Sequence, residues 1–118
     1  MIYKNDPMQA VRDMILNELA KGIEKHGLHN SPHEAYAVLL EEVEEVNDNL
    51  KRINQAMDVL WRSVKRDHRA GAARDMILDF AKETIIELVQ VAAMVEKYKI
   101  SEEEWNNEKE PRKTRKSG

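Results

Sequence analysis

The chain has 118 residues, 35% charged, 42% hydrophobic and 5% aromatic, with no cysteine and a formal net charge of -3. This is long enough for one core without staples, and the lack of cysteine excludes disulfide frameworks and thiolate chemistry. The last eight residues carry four basic side chains and no acid, so residues 1–110 hold 15 basic and 22 acidic side chains, an acidic body that argues against a dedicated duplex-DNA binder.

Asp6-Pro7 reads as an N-cap followed by proline at the first helical position. A helix from about Pro7 to Lys25 would align Val11, Ile15, Leu19 and Ile23 on one face, with Gly27 after its end and Leu28-His29-Asn30 as a short loop. Ser31-Pro32-His33-Glu34 opens a second helix, with Ser31 capping and Glu34 completing a capping box. Tyr36, Leu39, Val43, Val46, Leu50, Ile53, Met57, Leu60 and Val64 then alternate at spacings of three and four, a heptad seam. The spacing predicts one long helix to about Asp67, with a kink or break near Asn47-Asp48-Asn49 left open, and a turn at Arg69-Ala70-Gly71-Ala72. A third helix is predicted from about Ala73 to Lys99, with Ile77, Ala81, Ile85, Leu88, Ala92 and Val95 as its stripe. Ser101-Glu102-Glu103-Glu104 looks like a further cap opening a short fourth helix through Trp105. The expected organisation is an all-α helical bundle over residues 1–107, with one long central helix, and a basic, disordered tail over 108–118.

Two acidic clusters stand out. Glu41-Glu42-Val43-Glu44-Glu45 lies on the second predicted helix, where Glu41, Glu42 and Glu45 form one arc beside the apolar seam and Glu44 falls on the other side. Glu87 and Gln90 lie within Ile85–Val95, where nine of eleven residues are apolar. A helix apolar nearly all round is normally buried, and a carboxylate there must be paired, protonated or metal-bound. Alone, each cluster reads as a solvated face or as a buried ion pair. Together, Glu42 and Glu45 packed against Glu87 and Gln90 would make an all-oxygen site suited to Mg²⁺ or Mn²⁺. A di-iron bundle would need Glu-x-x-His pairs, and none occurs. The Gly-rich phosphate loop and the His-Glu-x-x-His zinc motif are also absent.

Leu40-Glu41-Glu42-Val43-Glu44-Glu45-Val46 resembles the Glu-Glu-x-x-Glu motif of the MazG-like, all-α nucleoside triphosphate pyrophosphohydrolases. Glu87-Leu88-Val89-Gln90 is similar to their second motif, Glu-x-x-Asp, and the resemblance covers roughly residues 20–98. It implies Mg²⁺-dependent cleavage of a (deoxy)nucleoside triphosphate to the monophosphate and pyrophosphate. By this resemblance Glu42, Glu45, Glu87 and Gln90 would be metal ligands, and Glu41 a ligand or the base that orients water. Two departures are visible: Gln90 stands where the family has Asp, and the gap between the motifs is longer, implying an extended segment at about residues 50–72.

Lys25, His29 and His33, with Lys21 and His26, gather near the expected mouth of the first two helices and are candidates to hold phosphates. Their ordinary reading is as solvated, loop or first-turn residues. Trp61 and Tyr36 could stack a base, although Tyr36 fits the core and Trp61 an inter-subunit contact. The long seam exceeds what one small monomer can cover, so a homo-oligomer, dimer or tetramer, is expected. No stretch is long enough to span a membrane and no signal-peptide pattern opens the chain, so a cytoplasmic location is expected, with neither membrane nor nucleic acid as partner. The alternative function is a non-catalytic helical assembly or adaptor protein that keeps the fold, a reading that Gln90 favours.

Overall fold

The computed structural model describes residues 6–69 and 71–117, with side chains as far as Glu108. Among the described residues the chain is all-α, with no strand: α1 (Pro7–His26), α2 (Pro32–Lys65) and α3 (Gly71–Ser117). None of the described helices is long and apolar enough to cross a membrane. The chain divides into two compact units, Met1–Leu39 with Val89–Gly118, and Leu40–Leu88.

In the first unit, α1 starts as its sequence requires. The Asp6 carboxylate accepts from the Gln9 backbone N–H at 3.3 Å and from Arg12 at 3.0 Å, and Pro7 fills the first helical position. The helix stops at Gly27, whose N–H donates to the Ile23 carbonyl at 2.7 Å and whose φ of 71° suits a residue without a Cβ. Leu19 is buried and Ile15 and Ile23 are half-buried, whereas Val11, expected on the same face, is exposed. Ser31 caps α2 by accepting from the Glu34 N–H at 3.1 Å, and the Glu34 carboxylate accepts from Asn30 at 3.1 Å.

The break expected at Ser101 does not occur: α3 runs through it, and the short fourth helix is the same helix continued. From Ala72 to Glu110 there is neither Gly nor Pro to stop a helix. Ser101, a good capping residue, is fully buried and donates to the Lys97 carbonyl one turn earlier at 2.8 Å, as a mid-helix serine does. The backbone of α3 continues to Ser117, through the segment expected as a disordered tail, while the side chains from residue 109 onward lie outside the described residues.

In the second unit, α2 is unbroken through Asn47-Asp48-Asn49. Asn49 is buried and accepts from Arg52 at 2.8 Å, so its amide has a partner within the helix. The seam splits in two: Val46 is buried and Ile53 and Leu60 half-buried, while Val43, Leu50, Met57 and Val64 are exposed. On α3 the covered stripe is Ala73, Ile77, Phe80, Thr84 and Glu87. The expected stripe is therefore corrected, since Ile85 and Leu88 are each more than half exposed. The reason is rotational: α3 has two adjacent apolar stripes, and the one that turns inward includes Thr84, whose hydroxyl donates to the Phe80 carbonyl at 2.6 Å. In the first unit Tyr36, expected in the core, is likewise exposed.

The end of α2 also departs from expectation. It closes at Lys65 with the 6→1 bond from His68 N to Ser63 O at 2.9 Å and the 5→2 bond from Asp67 N to Val64 O at 3.1 Å. Asp67 takes the left-handed position, φ 60°, that glycine usually fills. Asp67→Gly should therefore raise stability by about 0.5–1 kcal/mol by removing Cβ strain. A thermal melt checks it, and an unchanged or lower melting temperature would show that the aspartate side chain compensates locally. Ala70 lies outside the described residues, and α3 begins at Gly71.

Candidate metal centre

Glu42 and Glu45 project from neighbouring turns of α2, and Glu87 from the covered stripe of α3, all within the Leu40–Leu88 unit. One carboxylate oxygen from each lies within 4.8 Å of the others. Glu42 and Glu87 are half-buried and Glu45 is exposed. The helical spacing that puts the buried Val46 and half-buried Ile53 on one side of α2 also carries Glu42 to that side, one turn before Val46.

Three carboxylates this close repel one another. The Glu87 carboxyl is pushed up to about 7, first by its hydrogen bond with Glu45, then by loss of water, then by the charges of Glu45, Glu42 and Glu83. At neutral pH Glu87 is therefore only about half ionised rather than standing as a third full charge. A divalent cation replaces its proton with two positive charges and accepts the same oxygens as ligands. The donor set is all oxygen, the preference of a hard cation, and the residues fit such an ion.

Glu41 is exposed on α2 and is not one of the three converging carboxylates. Gln90 is half-buried on α3, one turn beyond Glu87, at the start of the portion of α3 that belongs to the first unit. Lys25, His29 and His33 also belong to the first unit. Lys25 and His33 are exposed, in the last turn of α1 and the first turn of α2.

His29 is only 3% exposed, so it offers little surface to a phosphate. Its backbone N–H donates to Ser101 Oγ at 3.0 Å and its carbonyl accepts from the Trp105 indole at 3.2 Å. Trp105 in turn meets Tyr98 edge-to-face, ring centres 6.2 Å apart. Burial lowers the His29 pKa, with the Lys97 charge adding to the effect and Glu34, 3.9 Å away, opposing it, so the imidazole is neutral at pH 7. These contacts join the α1–α2 loop to the C-terminal part of α3 across more than seventy residues of sequence. No short-range motif announces them; only the burial of Ser101 does.

Comparison of the chain with protein-family models, with curated proteins and with solved structures finds no match.

Proposed function

We propose that this chain is a Mg²⁺- or Mn²⁺-dependent nucleoside triphosphate pyrophosphohydrolase that works as a cytoplasmic homo-oligomer. The convergence of Glu42, Glu45 and Glu87, oxygens within 4.8 Å, is the observation that carries the reading. The order and helical setting of the two motifs, which resemble those of MazG-like enzymes, add to it. Glu42, Glu45 and Glu87 would hold the cation. When bound, it would supply Lewis-acid polarisation of a phosphoryl oxygen and a water of lowered pKa. Glu41, exposed beside Glu42, would accept the proton of the attacking water. The water oxygen adds to phosphorus, the bond to the bridging oxygen breaks, and pyrophosphate leaves from the nucleoside monophosphate. Lys25 and His33, both exposed, are the candidate phosphate contacts.

The decisive experiment is pyrophosphate release over a panel of nucleoside triphosphates, with Mg²⁺ and with chelator. Metal-dependent release is expected, and Glu45→Ala should lower it by about 10²–10³, the usual loss when a direct stabiliser of transition-state charge is removed. Calorimetry should show weaker Mg²⁺ binding by the same variant. Equal binding by wild type and variant would remove Glu45 from the site.

The second reading, a non-catalytic helical assembly protein, is favoured by Gln90, which offers a carbonyl oxygen where Asp would offer a charge. Gln90→Asp separates the two. If Gln90 belongs to the ligand set, the variant binds Mg²⁺ more tightly and melts lower in chelator. A variant that binds and melts like wild type, from a protein that releases no pyrophosphate, would make the assembly reading the better one.

A further inference from the structure

The outer half of the α2 seam has no cover within its own unit. Leu40, Val43, Leu50, Met57, Trp61 and Val64 are 37% to 58% exposed, and at about 100° per residue they share one arc of the helix. The arc runs beside the row Val46, Ile53 and Leu60, which is buried or half-buried. Among the described residues of that unit, the buried hydrophobic ones are only Val46, Ala56 and Ala73, a thin core for a unit of forty-nine residues. A heptad-spaced apolar row of this length is the shape that a second long helix covers.

The charges of α2 say which helix. Residues 41–48 hold five acids and no base, whereas residues 51–66 hold five bases and one acid. Laid parallel on its own copy, α2 would set acid against acid and base against base. Laid antiparallel, it sets each half against its opposite, and one self-complementary patch serves both chains. Centring the pair near Leu50 also brings Asn47 of one chain about level with Asn54 of the other, so that the two exposed amides within the arc can hydrogen-bond. Trp61, with Lys65 5.7 Å from its ring centre, then meets the level of Leu40.

We infer that the exposed face of α2 between Leu40 and Val64 is the docking surface for a second copy of this chain, bound antiparallel about a two-fold axis near Leu50. This gives the homo-oligomer reading its interface and is independent of the metal chemistry. Glu45 lies roughly 140° around the helix from Leu50, so pairing leaves that carboxylate uncovered.

The chain has no cysteine, which makes a thiol test clean. Val43→Cys and Met57→Cys chains are prepared separately, mixed, and treated with a short thiol-to-thiol cross-linker. The antiparallel pair gives the mixed product, which links position 43 of one chain to position 57 of the other. It does not give like-with-like products, because the two copies of position 43 would lie about 21 Å apart along the axis. Like-with-like products as the main species would mean a parallel pair and overturn the inference. Light scattering on the wild type should give twice the 13.7 kDa chain mass or a multiple of it, with dissociation favoured by salt. Leu50→Lys, and separately Met57→Lys, should weaken self-association by at least about tenfold with helical circular dichroism retained, since both positions are already exposed. A wild-type mass of 13.7 kDa at all micromolar concentrations overturns the inference even if Mg²⁺ binds. Conversely, an antiparallel dimer that neither binds metal nor releases pyrophosphate would sustain it and sink the catalytic reading.

Discussion

Glu87→Gln is expected to raise the melting temperature of the metal-free protein at pH 8 and to abolish its stabilisation by Mg²⁺. The Glu87 carboxyl has an ordinary value of 4.5 and sits at about 7 in the folded chain. A raised carboxyl binds its proton more tightly when folded, so its favourable contribution is complete below about pH 4.5 and is lost as pH rises through about 7. At 1.36 kcal/mol per unit, the full loss has an upper bound of roughly 3 kcal/mol. Solvent reaches this cluster through the exposed Glu45, which reduces it to about 1–2 kcal/mol. Glutamine keeps a group that can donate to Glu45 and never acquires the charge. Wild type in chelator should therefore lose stability between pH 5 and pH 8, and the variant should not. Mg²⁺ at a hundred times its dissociation constant should return about 2.7 kcal/mol to the wild type. Melting curves at the two pH values, with Mg²⁺ and with chelator, make the four comparisons. Parallel responses of the two proteins would mean that Glu87 is neither charged against its neighbours nor a ligand.

Ser101→Ala is expected to lower stability by about 1–3 kcal/mol without affecting metal binding. Ser101 has no exposed surface, and its hydroxyl both donates to the Lys97 carbonyl and accepts the His29 N–H. Removing it leaves the buried His29 N–H without its partner, and the cost of an unpaired buried donor is of this size. For a chain of this length that corresponds to a fall in melting temperature of roughly 3–6 °C per kcal/mol. The change should also loosen the α1–α2 loop, which hydrogen exchange at His29 would report. If His29 remains protected and the melt is unchanged, a water has taken the place of the hydroxyl and the contact is not what holds the loop. Since Ser101 belongs to the first unit and Glu42, Glu45 and Glu87 to the second, Mg²⁺ titration separates this effect from any on the site.

Local events can be read directly from the order of residues. Asp6-Pro7, Ser31-Pro32 and Gly27 start and stop helices through hydrogen bonds between near neighbours, and each appears where its chemistry requires. The heptad spacing of α2 was legible for the same reason, because helical periodicity needs no knowledge of the partner. So was the convergence of Glu42 and Glu45 with Glu87, since an acid within an apolar run is conspicuous against its neighbours. Which apolar stripe turns inward is a matter of packing. On α3 two stripes compete, and the covered one includes Thr84 and Glu87 because a hydroxyl can be satisfied by its own helix and a carboxyl by another carboxyl. The same holds for Ser101. A serine before three glutamates has the pattern of a cap, and its hydroxyl became an internal partner for His29 only because the chain brings back a loop seventy-two residues away. Hydrogen bonds between near neighbours can be read from a string of residues, whereas the rotation of a helix about its axis depends on everything packed against it.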